Sequence, residues 1–287
     1  MSKVLEELLS LLQLEKIEES IFRGQSQDLF TGNVFGGQVI GQSLSAAKQT
    51  VVEGRNLHSF HCYFLRPGDA SKPIIYEVDR SRDGHSFTSR RVVAIQNGRP
   101  IFHMALSFHQ KEEGLEHQLP VKPDVTPPDQ LESESDLIQK IIQFIPESMR
   151  DKVTGERPID IRPVNLPDLL RPKPMEPLRY VWMKANGPLP DDLRIHKYLL
   201  AYASDFNFIT TALNPHGINF WEPRIQIASL DHAMWFHKDI RMDEWLLYSI
   251  DSPIAFGGRG LVRGQIFNQQ GELVASAAQE GLIRKRP

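Results

Sequence analysis

The sequence predicts an α+β fold made of two similar units, each with one helix followed by four antiparallel strands. The same order of elements occurs twice in the 287 residues, because helical patterns at 36–51 and 191–206 each precede a set of strand patterns. Four strands are expected within 57–110 and four more within 225–283, each set bounded by turn residues. This order indicates an internal duplication.

Matching turns and aromatic pairs support the duplication. The last two strands of each half are joined by a glycine-containing turn, "QNGR" at Gly98 and "NQQGE" at Gly271, and Asn-Gly is a strong hairpin signal. Aromatic pairs also lie at matching places, at 63–64 and 235–236. The alternative is a coincidence, since many α+β domains place a helix before strands. A curved sheet that wraps the helix buries it best, so the predicted architecture is a double hot dog.

A proline-rich segment separates the two units. Residues 111–177 hold more than half of the 20 prolines, and each proline removes a backbone donor and restricts the residue before it. One helix is expected inside this segment, at 129–149. The predicted organisation is a first unit at 1–110, a connection at 111–177 and a second unit at 178–287.

Composition and charge exclude several classes of protein. The chain is 40% hydrophobic and 24% charged with a net charge of -3, so nothing favours binding to nucleic acid. Cys62 is the only cysteine, which excludes an intrachain disulfide and a cysteine-rich metal site and fits a reducing compartment. His58 and His61 would point to opposite faces of a strand. We therefore expect no metal and no cofactor.

The sequence predicts neither a membrane span nor a targeting signal. No stretch is long and apolar enough to cross a bilayer. The first 20 residues indicate an amphipathic helix with leucines among glutamates, whereas a signal peptide begins with basic residues and continues with an apolar run. The closing "LIRKRP" is not a peroxisomal address. The expected location is the cytoplasm.

A single carboxylate, Asp205, stands out in the second predicted helix. This helix carries an apolar stripe at helical spacing, made of Ile195, Leu199, Tyr202 and Phe206. Asp205 lies on the flank of the stripe, where partial desolvation would raise its pKa and its basicity. Alternatively, it lies at a frayed helix end in water, as most charged residues do. An acid near a helix C-terminus also opposes the helix dipole, and a residue that violates two local rules marks a candidate site.

Two further polar residues interrupt apolar strands. Ser229 lies in the otherwise apolar "IQIASLDHAMWFH", and Gln279 is surrounded by alanines and a glycine in "ELVASAAQEGLI". Small neighbours leave space beside a neutral hydrogen-bonding group. The alternatives are that Ser229 bonds a local carbonyl group and that Gln279 lies at a sheet margin.

Several long segments carry a family resemblance, including "VFGGQVIGQSL", "HSFHCYFLRPGD", "LRIHKYLLAYASDFNF", "IQIASLDHAMWFH" and "VASAAQEGLIR". They resemble the acyl-CoA thioesterase II family of double hot-dog enzymes, and the resemblance covers essentially the whole chain. In that family an aspartate after the second hot-dog helix, a serine or threonine in the next strand and a glutamine in the last strand hold the hydrolytic water. The resemblance places these roles on Asp205, Ser229 and Gln279. It also implies acyl-CoA as the substrate and a homo-oligomer, expected to be a tetramer.

These residue types suit the attack of water on a thioester. The leaving thiol has a pKa near about 8.5, so its departure needs little help. Asp205 would be the general base, while Ser229 and Gln279 would orient the water. The oxyanion would meet a backbone N–H or the Gln279 amide, and no metal or covalent enzyme intermediate is required. His232 is expected to point away from Ser229 on an alternating strand, so a catalytic triad is not expected.

Other functions remain open at this point. A hot-dog enoyl-CoA hydratase would pair the aspartate with a histidine in the order D-x-N-x-x-H, whereas "DFNFIT" keeps Asp205 and Asn207 but has Thr210 at the histidine position. A non-catalytic acyl-CoA binding protein would keep the fold and lose the three polar residues. The helix at 36–51 aligns an alanine near the position of Asp205, so only the second unit is expected to be catalytic, with the first supplying a channel wall for the acyl chain or CoA.

Overall fold

The structure, a computed structural model, describes residues 2–29, 32–145, 147, 150, 154–219 and 222–286. The α-helices that it describes in full are α1 (Lys3–Leu11), α2 (Gly36–Lys48), α3 (Glu134–Lys140) and α4 (Leu193–Ser204). The strands are β1 (Glu15–Glu18), β2 (Ile21–Gly24), β3 (Arg55–Phe64), β4 (Ile74–Asp83), β5 (Phe87–Gln96), β6 (Arg99–Gln110), β7 (Ile159–Pro163), β8 (Leu178–Ala185), β9 (Ile225–Ser229), β10 (Asp231–Phe236), β11 (Leu246–Phe256), β12 (Arg259–Phe267) and β13 (Leu273–Lys285). Short 3₁₀ segments occupy Pro128–Gln130, Ile142–Phe144 and Ile209–His216.

One antiparallel sheet contains the strands of both units. From edge to edge the order is β1-β2-β4-β5-β6-β3-β10-β13-β12-β11-β8-β7, and β9 pairs with β13 off this path. The order is symmetric: β1 and β7, β2 and β8, and β3 and β10 occupy equivalent places counted from the two edges. Each unit therefore has two strands before its long helix, α2 or α4, and the remaining strands after it. The α+β double hot-dog fold predicted from the sequence is confirmed.

The two units are joined through β3 and β10, which pair along the middle of the sheet. His61 pairs with Ala233 and Phe60 pairs with Met234 in this ladder. The two sheets therefore lie side by side as one continuous sheet. The division of the chain at residues 110 and 177 stays a prediction; β7, which lies inside 111–177, pairs with β8.

The two outer strands at each edge, β1, β2, β7 and β8, are not among the eight strands that the sequence predicts. All four residues of β1 are exposed, and β7 ends at Pro163 within the proline-rich segment. Edge strands need no alternation of buried residues and they tolerate proline, so their signal is weak. The helix expected over the first 20 residues ends at Leu11, because β1 pairs with β2 from Glu15 onward.

The helix expected at 129–149 is shorter than its sequence pattern indicates. The α-helical part is α3, which begins with a capping box between Ser133 and Asp136 and is flanked by 3₁₀ segments on both sides. Pro146, Ser148 and Met149 lie outside the described residues. The described helices are short in general: α2 has 13 residues and is about 20 Å long. Within the described ranges, none has the length and apolar character needed to cross a membrane.

The two long helices, α2 and α4, pack against each other in the core. The buried side chains of Ile40, Leu44 and Leu199 belong to this core. A Cβ on Gly37 would lie 2.3 Å from the carbonyl oxygen of Tyr202, which is a severe steric clash. Only glycine, which has no Cβ, fits at this position. As a result, the N-terminal end of α2 lies beside the C-terminal end of α4.

The strand expected at 225–237 is two strands, β9 and β10, whose pairing with β13 differs by one residue. Ser229 pairs with Gly281, whereas Ala233 pairs with Ala278. Leu230 lies between the two strands; its N–H donates to Glu280 O at 3.0 Å and its carbonyl accepts from Phe64 N at 2.9 Å. Such a one-residue shift is a β-bulge, which changes the direction of the side chains that follow it.

Candidate active site

Asp205 directly follows α4 and faces the start of α2. It is the C-terminal capping residue of α4, and its carboxylate accepts a hydrogen bond from the backbone N–H of Gly37. A Cβ on Gly36 would lie 2.4 Å from Asp205 Oδ2, so a glycine is required to leave room for the carboxylate. The first N–H groups of a helix lack intrahelical partners and carry the positive end of its dipole. The start of α2 therefore compensates for the unfavourable position of an acid at the end of α4.

Gln279 and Ser229 reach the same carboxylate from the sheet. Gln279 of β13 is buried, and its Nε2 donates to Asp205 Oδ1 at 2.8 Å. Ser229 at the end of β9 donates its hydroxyl to Asp205. The structure thus brings together the three residues that the sequence singled out, from one helix end and two different strands.

Two opposing effects act on the pKa of Asp205. Burial destabilises the ionised carboxylate and raises the pKa above its ordinary value. Hydrogen bonds from Gln279, Gly37 and Ser229 favour the ionised form and lower the pKa, but desolvation is the larger effect. The result is a carboxylate that is more basic than an exposed aspartate and is held in place by three donors.

A buried network extends behind Gln279. Gln279 Nε2 also lies 3.1 Å from His232 Nδ1, and His232 Nε2 lies 3.1 Å from Ser204 Oγ, which in turn donates to Ala201 O at 2.9 Å. Because an amide nitrogen can only donate, Nδ1 of His232 accepts and the ring proton lies on Nε2. Burial lowers the pKa of His232 to about 3, so the ring is neutral.

The expectation that His232 points away from the face of Ser229 is wrong. The bulge at Leu230 shifts the alternation by one residue, so that His232 lies on the face of β13 that carries Gln279. Even so, the ring does not activate Ser229, because its two nitrogens are bonded to Gln279 and Ser204.

The Gln279 amide has a free acceptor and no free donor. Its two N–H groups point to Asp205 and His232, while Oε1 is buried and has no hydrogen-bond partner among the residues that the structure describes. The sequence leaves two candidates for the donor to the oxyanion, the Gln279 amide and a backbone N–H. With both of its N–H groups engaged, a backbone N–H is the better candidate for that role.

The first unit has the same bulge but carries apolar residues there. Leu57 pairs with Phe108 and Phe60 pairs with Leu106, with a one-residue shift between these two pairs. The aromatic pairs at 63–64 and 235–236 align the two units, so Leu57 is the counterpart of Ser229, Phe60 of His232 and Leu106 of Gln279. The backbone is thus duplicated in both units, whereas the polar side chains occur only in the second.

Two cavities meet at Asp205. One, of about 440 Å³, is called here the connecting-segment cavity, and its apolar lining comes mainly from residues of the connection: Leu137, Ile138, Ile141, Ile145, Leu166, Pro167 and Leu169. The other, of about 640 Å³, is lined by Gly36, Phe64, Arg66 and Ser229 among others, and is called the Ser229 cavity. Both volumes are in the range of small-molecule sites. Asp205 is part of both walls.

Sequence reasoning missed three contributors to this site: Gly36, Gly37 and His232. Two adjacent glycines at the start of a predicted helix indicate that another backbone approaches closely there. His232 could not be found, because a single-residue bulge has no reliable sequence pattern. The first unit therefore supplies backbone groups to the site in addition to a wall.

The other candidate groups are structural. Cys62 is buried, its thiol donates to His232 O at 3.1 Å, and burial raises its pKa. His58 Nε2 lies 2.8 Å from Ser107 Oγ, and the ring of His61 packs edge-on against Trp235. In the described part of the chain, no three His, Cys, Asp or Glu side chains form a group that could hold a metal ion.

Known proteins resemble this chain along its whole length. Residues 26–109 match the family described as "Acyl-CoA thioesterase N-terminal domain", and residues 148–282 match the family described as "Acyl-CoA thioesterase". The chain is 46% identical to acyl-CoA thioesterase 2 of Haemophilus influenzae over 284 residues, which is 99% of each protein. The crystal structure of an acyl-CoA thioesterase II from Mycobacterium marinum superimposes with a TM-score of 0.79 at 41% identity, over 97% of this chain and 98% of that one. A protein with a hot dog fold from Alicyclobacillus acidocaldarius, 17% identical, superimposes with a TM-score of 0.76 over 98% of this chain and 99% of that one, and shows the fold alone.

We expect the carboxyl group of Asp205 to titrate above the ordinary aspartate pKa of about 3.9, because burial disfavours its ionised form. Ser229→Ala removes a hydrogen bond to that form and should raise the pKa further. Carbon-13 NMR of aspartate-labelled protein measures both values, with Asp205→Asn assigning the signal. Burial also raises the pKa of Asp231, so Asp231→Asn is the control that identifies the signal of this second carboxyl group. An Asp205 midpoint at or below the ordinary value would contradict this account.

Proposed function

The chain belongs to the acyl-CoA thioesterase family, and we propose that it hydrolyses acyl-CoA thioesters to a free fatty acid and CoA. The observation that supports this most directly is the contact of Gln279 and Ser229 with the partly desolvated carboxylate of Asp205. A carboxylate with a raised pKa is suited to accept a proton from water. The two cavities that meet at Asp205 offer space for the two arms of a thioester.

In the proposed mechanism, a water molecule attacks the thioester carbonyl carbon while Asp205 accepts one of its protons. Ser229 and Gln279 hold the water in position, which lowers the barrier by supplying orientation before the reaction begins. The tetrahedral intermediate carries a negative oxygen, which would take a hydrogen bond from a backbone N–H at the start of α2. This is a single displacement without a covalent enzyme intermediate.

The second half of the reaction returns the proton. As the C–S bond breaks, the electron pair of that bond leaves with the sulfur, and protonated Asp205 returns its proton to the thiolate. A thiol with a pKa near about 8.5 is a good leaving group, so a strong acid is not needed. The products are a carboxylic acid and free CoA, and Asp205 is again ionised.

The environment of Thr210 argues against enoyl-CoA hydration. Thr210 occupies the position of the hydratase histidine, and its hydroxyl donates to Asn207 O at 2.7 Å and accepts from Arg179 Nη1 at 2.9 Å. It therefore stabilises the turn after α4 and has no ring nitrogen to exchange a proton. Release of free thiol from a medium-chain acyl-CoA, measured beside hydration of an enoyl-CoA, separates the hydrolase, the hydratase and the non-catalytic binding protein.

The proposed setting is the cytoplasm, and the proposed assembly is a homo-oligomer, a tetramer by analogy with the family. The single buried cysteine and the absence of a membrane-crossing helix among the described residues are compatible with this setting. We also propose that the catalytic side chains belong to the second unit, 178–287, since Leu57, Phe60 and Leu106 leave the equivalent place in the first unit apolar.

We expect Asp205→Asn to keep the fold and to reduce kcat by about 100- to 10,000-fold, because it removes the general base and retains the shape of the side chain. Thiol release from acyl-CoA under saturating conditions measures the loss. Asp251→Asn serves as a control, since Asp251 pairs with Arg263 on the sheet surface away from the site. Near-normal turnover by folded Asp205→Asn protein would disprove the assignment.

Ser229 is expected to orient the water and not to act as a nucleophile. Ser229→Thr should keep substantial activity because the hydroxyl is retained and threonine suits a strand. Ser229→Ala should cost less activity than Asp205→Asn because the base remains. Mass spectrometry of enzyme quenched during turnover provides the decisive measurement: an acyl group attached to Ser229 would rule out direct attack by water.

A further inference from the structure

We propose that the connecting-segment cavity holds the acyl chain of the substrate, so that residues outside the two sheet-forming units set the chain-length preference. This inference rests on the proposed thioester hydrolysis. Its first support is position: the cavity shares Asp205 with the Ser229 cavity. A thioester with its carbonyl carbon beside Asp205 would therefore extend one arm into each cavity.

The second support is the chemistry of the cavity wall. Leu137 and Ile138 of α3, and its C-terminal capping residue Ile141, line the cavity. Leu137 and Ile141 are four residues apart, which places them on the same side of the helix end. None of the residues of α3 is fully buried, so these apolar side chains are incompletely covered by protein. A saturated hydrocarbon chain would remove them from water and gain hydrophobic stabilisation of its own.

Several polar residues of the same wall bond to each other. Asn207 Nδ2 donates to Glu134 Oε1 at 2.9 Å, and the buried Arg179 donates to Asn207 O and to Thr210. Asn214 and Asn219 of the same wall donate to backbone carbonyl groups, and most of the remaining side chains of the wall are apolar. Both walls contain arginines: the half-buried Arg157 and the buried Arg179 in the connecting-segment cavity, and the exposed Arg66 in the Ser229 cavity. The exposed guanidinium group of Arg66 is the one that solvent-borne phosphates of CoA can reach.

The test uses two tryptophan substitutions on the same helix. Ile138→Trp puts bulk into the cavity, whereas Gln139→Trp puts the same side chain on the exposed face of α3. We would measure kcat/KM for saturated acyl-CoAs from butanoyl-CoA to hexadecanoyl-CoA. Ile138→Trp should reduce kcat/KM least for butanoyl-CoA, with a further loss of about fourfold for each methylene that loses its place. Gln139→Trp should leave the whole series unchanged.

Ile138→Ala provides a second variant that adds no bulk. It should lower kcat/KM only for the longer chains, because it removes a contact with the distal methylenes. The inference is overturned if folded Ile138 variants change all chain lengths by the same factor, or leave the preference unaltered. If the unmodified protein hydrolyses no acyl-CoA at all, the proposed function fails, and this result is distinct from an unaltered preference.

A second inference follows from the free oxygen of Gln279. We infer that His232 is a positioning residue that fixes the Gln279 amide so that Oε1 accepts a hydrogen bond from the reacting water. The neutral ring accepts from one N–H of the amide and Asp205 accepts from the other. If the amide were turned over, its oxygen would face two acceptors, Asp205 Oδ1 and His232 Nδ1, so the observed orientation is the stable one.

The buried oxygen then needs a donor. Gln279 Oε1 has no partner within the described residues, and leaving a buried acceptor unsatisfied costs free energy. A water that donates to both Asp205 and Gln279 Oε1 would satisfy this acceptor while being held for proton transfer. His232 acts through Gln279 and does not touch the substrate.

Two isosteric variants test the orientation. In His232→Asn the side-chain oxygen can take the place of Nδ1 and accept a hydrogen bond from Gln279. In His232→Gln the longer amide reaches toward Ser204, and Gln279 loses the acceptor that Nδ1 provides. His232→Gln should lower kcat between about 10- and 100-fold with KM little changed. His232→Asn should stay close to the unmodified protein. Thermal unfolding verifies that both variants are folded.

A double-mutant cycle separates positioning from a general structural effect. In a Gln279→Ala background, His232→Gln should have no further effect on kcat, because the group that it orients is gone. An equal loss in both backgrounds would overturn the inference, and so would an equal loss in the Asn and Gln variants. The cycle compares variants on one substrate, so its result does not bear on the inference about chain length.

Discussion

The close approach of the start of α2 to the end of α4 is the contact on which the site depends. It requires Gly37, where a side chain would meet the carbonyl oxygen of Tyr202, and Gly36, where a side chain would meet the carboxylate of Asp205. At Gly37 the contact is with the backbone of α4, so no rotamer change can relax it. The first unit thereby supplies helix N–H groups, and the second supplies the acid. Neither unit could form this site alone.

The energetic consequence is a carboxylate that is kept partly out of water and still ionisable. Desolvation alone would neutralise Asp205, since buried acids raise their pKa until they take up a proton. The hydrogen bonds from Gly37, Gln279 and Ser229 limit that rise. The neutral His232 behind Gln279 adds a hydrogen-bond acceptor without adding a charge. The balance gives a base of increased strength whose orientation is fixed by several hydrogen bonds, which is consistent with its proposed role.

The duplication explains why one chain has a symmetric sheet and an asymmetric site. The strand order is the same from both edges, and both units have the same bulge in the strand that joins them. At equivalent positions the first unit has Leu57, Phe60 and Leu106, which belong to the core. The second unit uses the same backbone geometry to direct polar side chains at Asp205. The asymmetry therefore lies in side-chain identity and not in the fold.

The sequence by itself determined the repeated order of helix and strands, the three polar residues, and the character of the chain as a double hot dog, because periodicity and residue type are local properties. It did not reveal the two outer strands at each edge, β1, β2, β7 and β8; all residues of β1 are exposed, and β7 lies in the proline-rich segment. Only the tertiary structure decided which groups face Asp205. The bulge at Leu230 turns His232 toward Gln279, and the crossing of α2 and α4 places Gly37 against the carboxylate. Both effects arise from contacts between residues far apart in the chain, and a one-residue change of register reverses the direction of a side chain without leaving a local pattern.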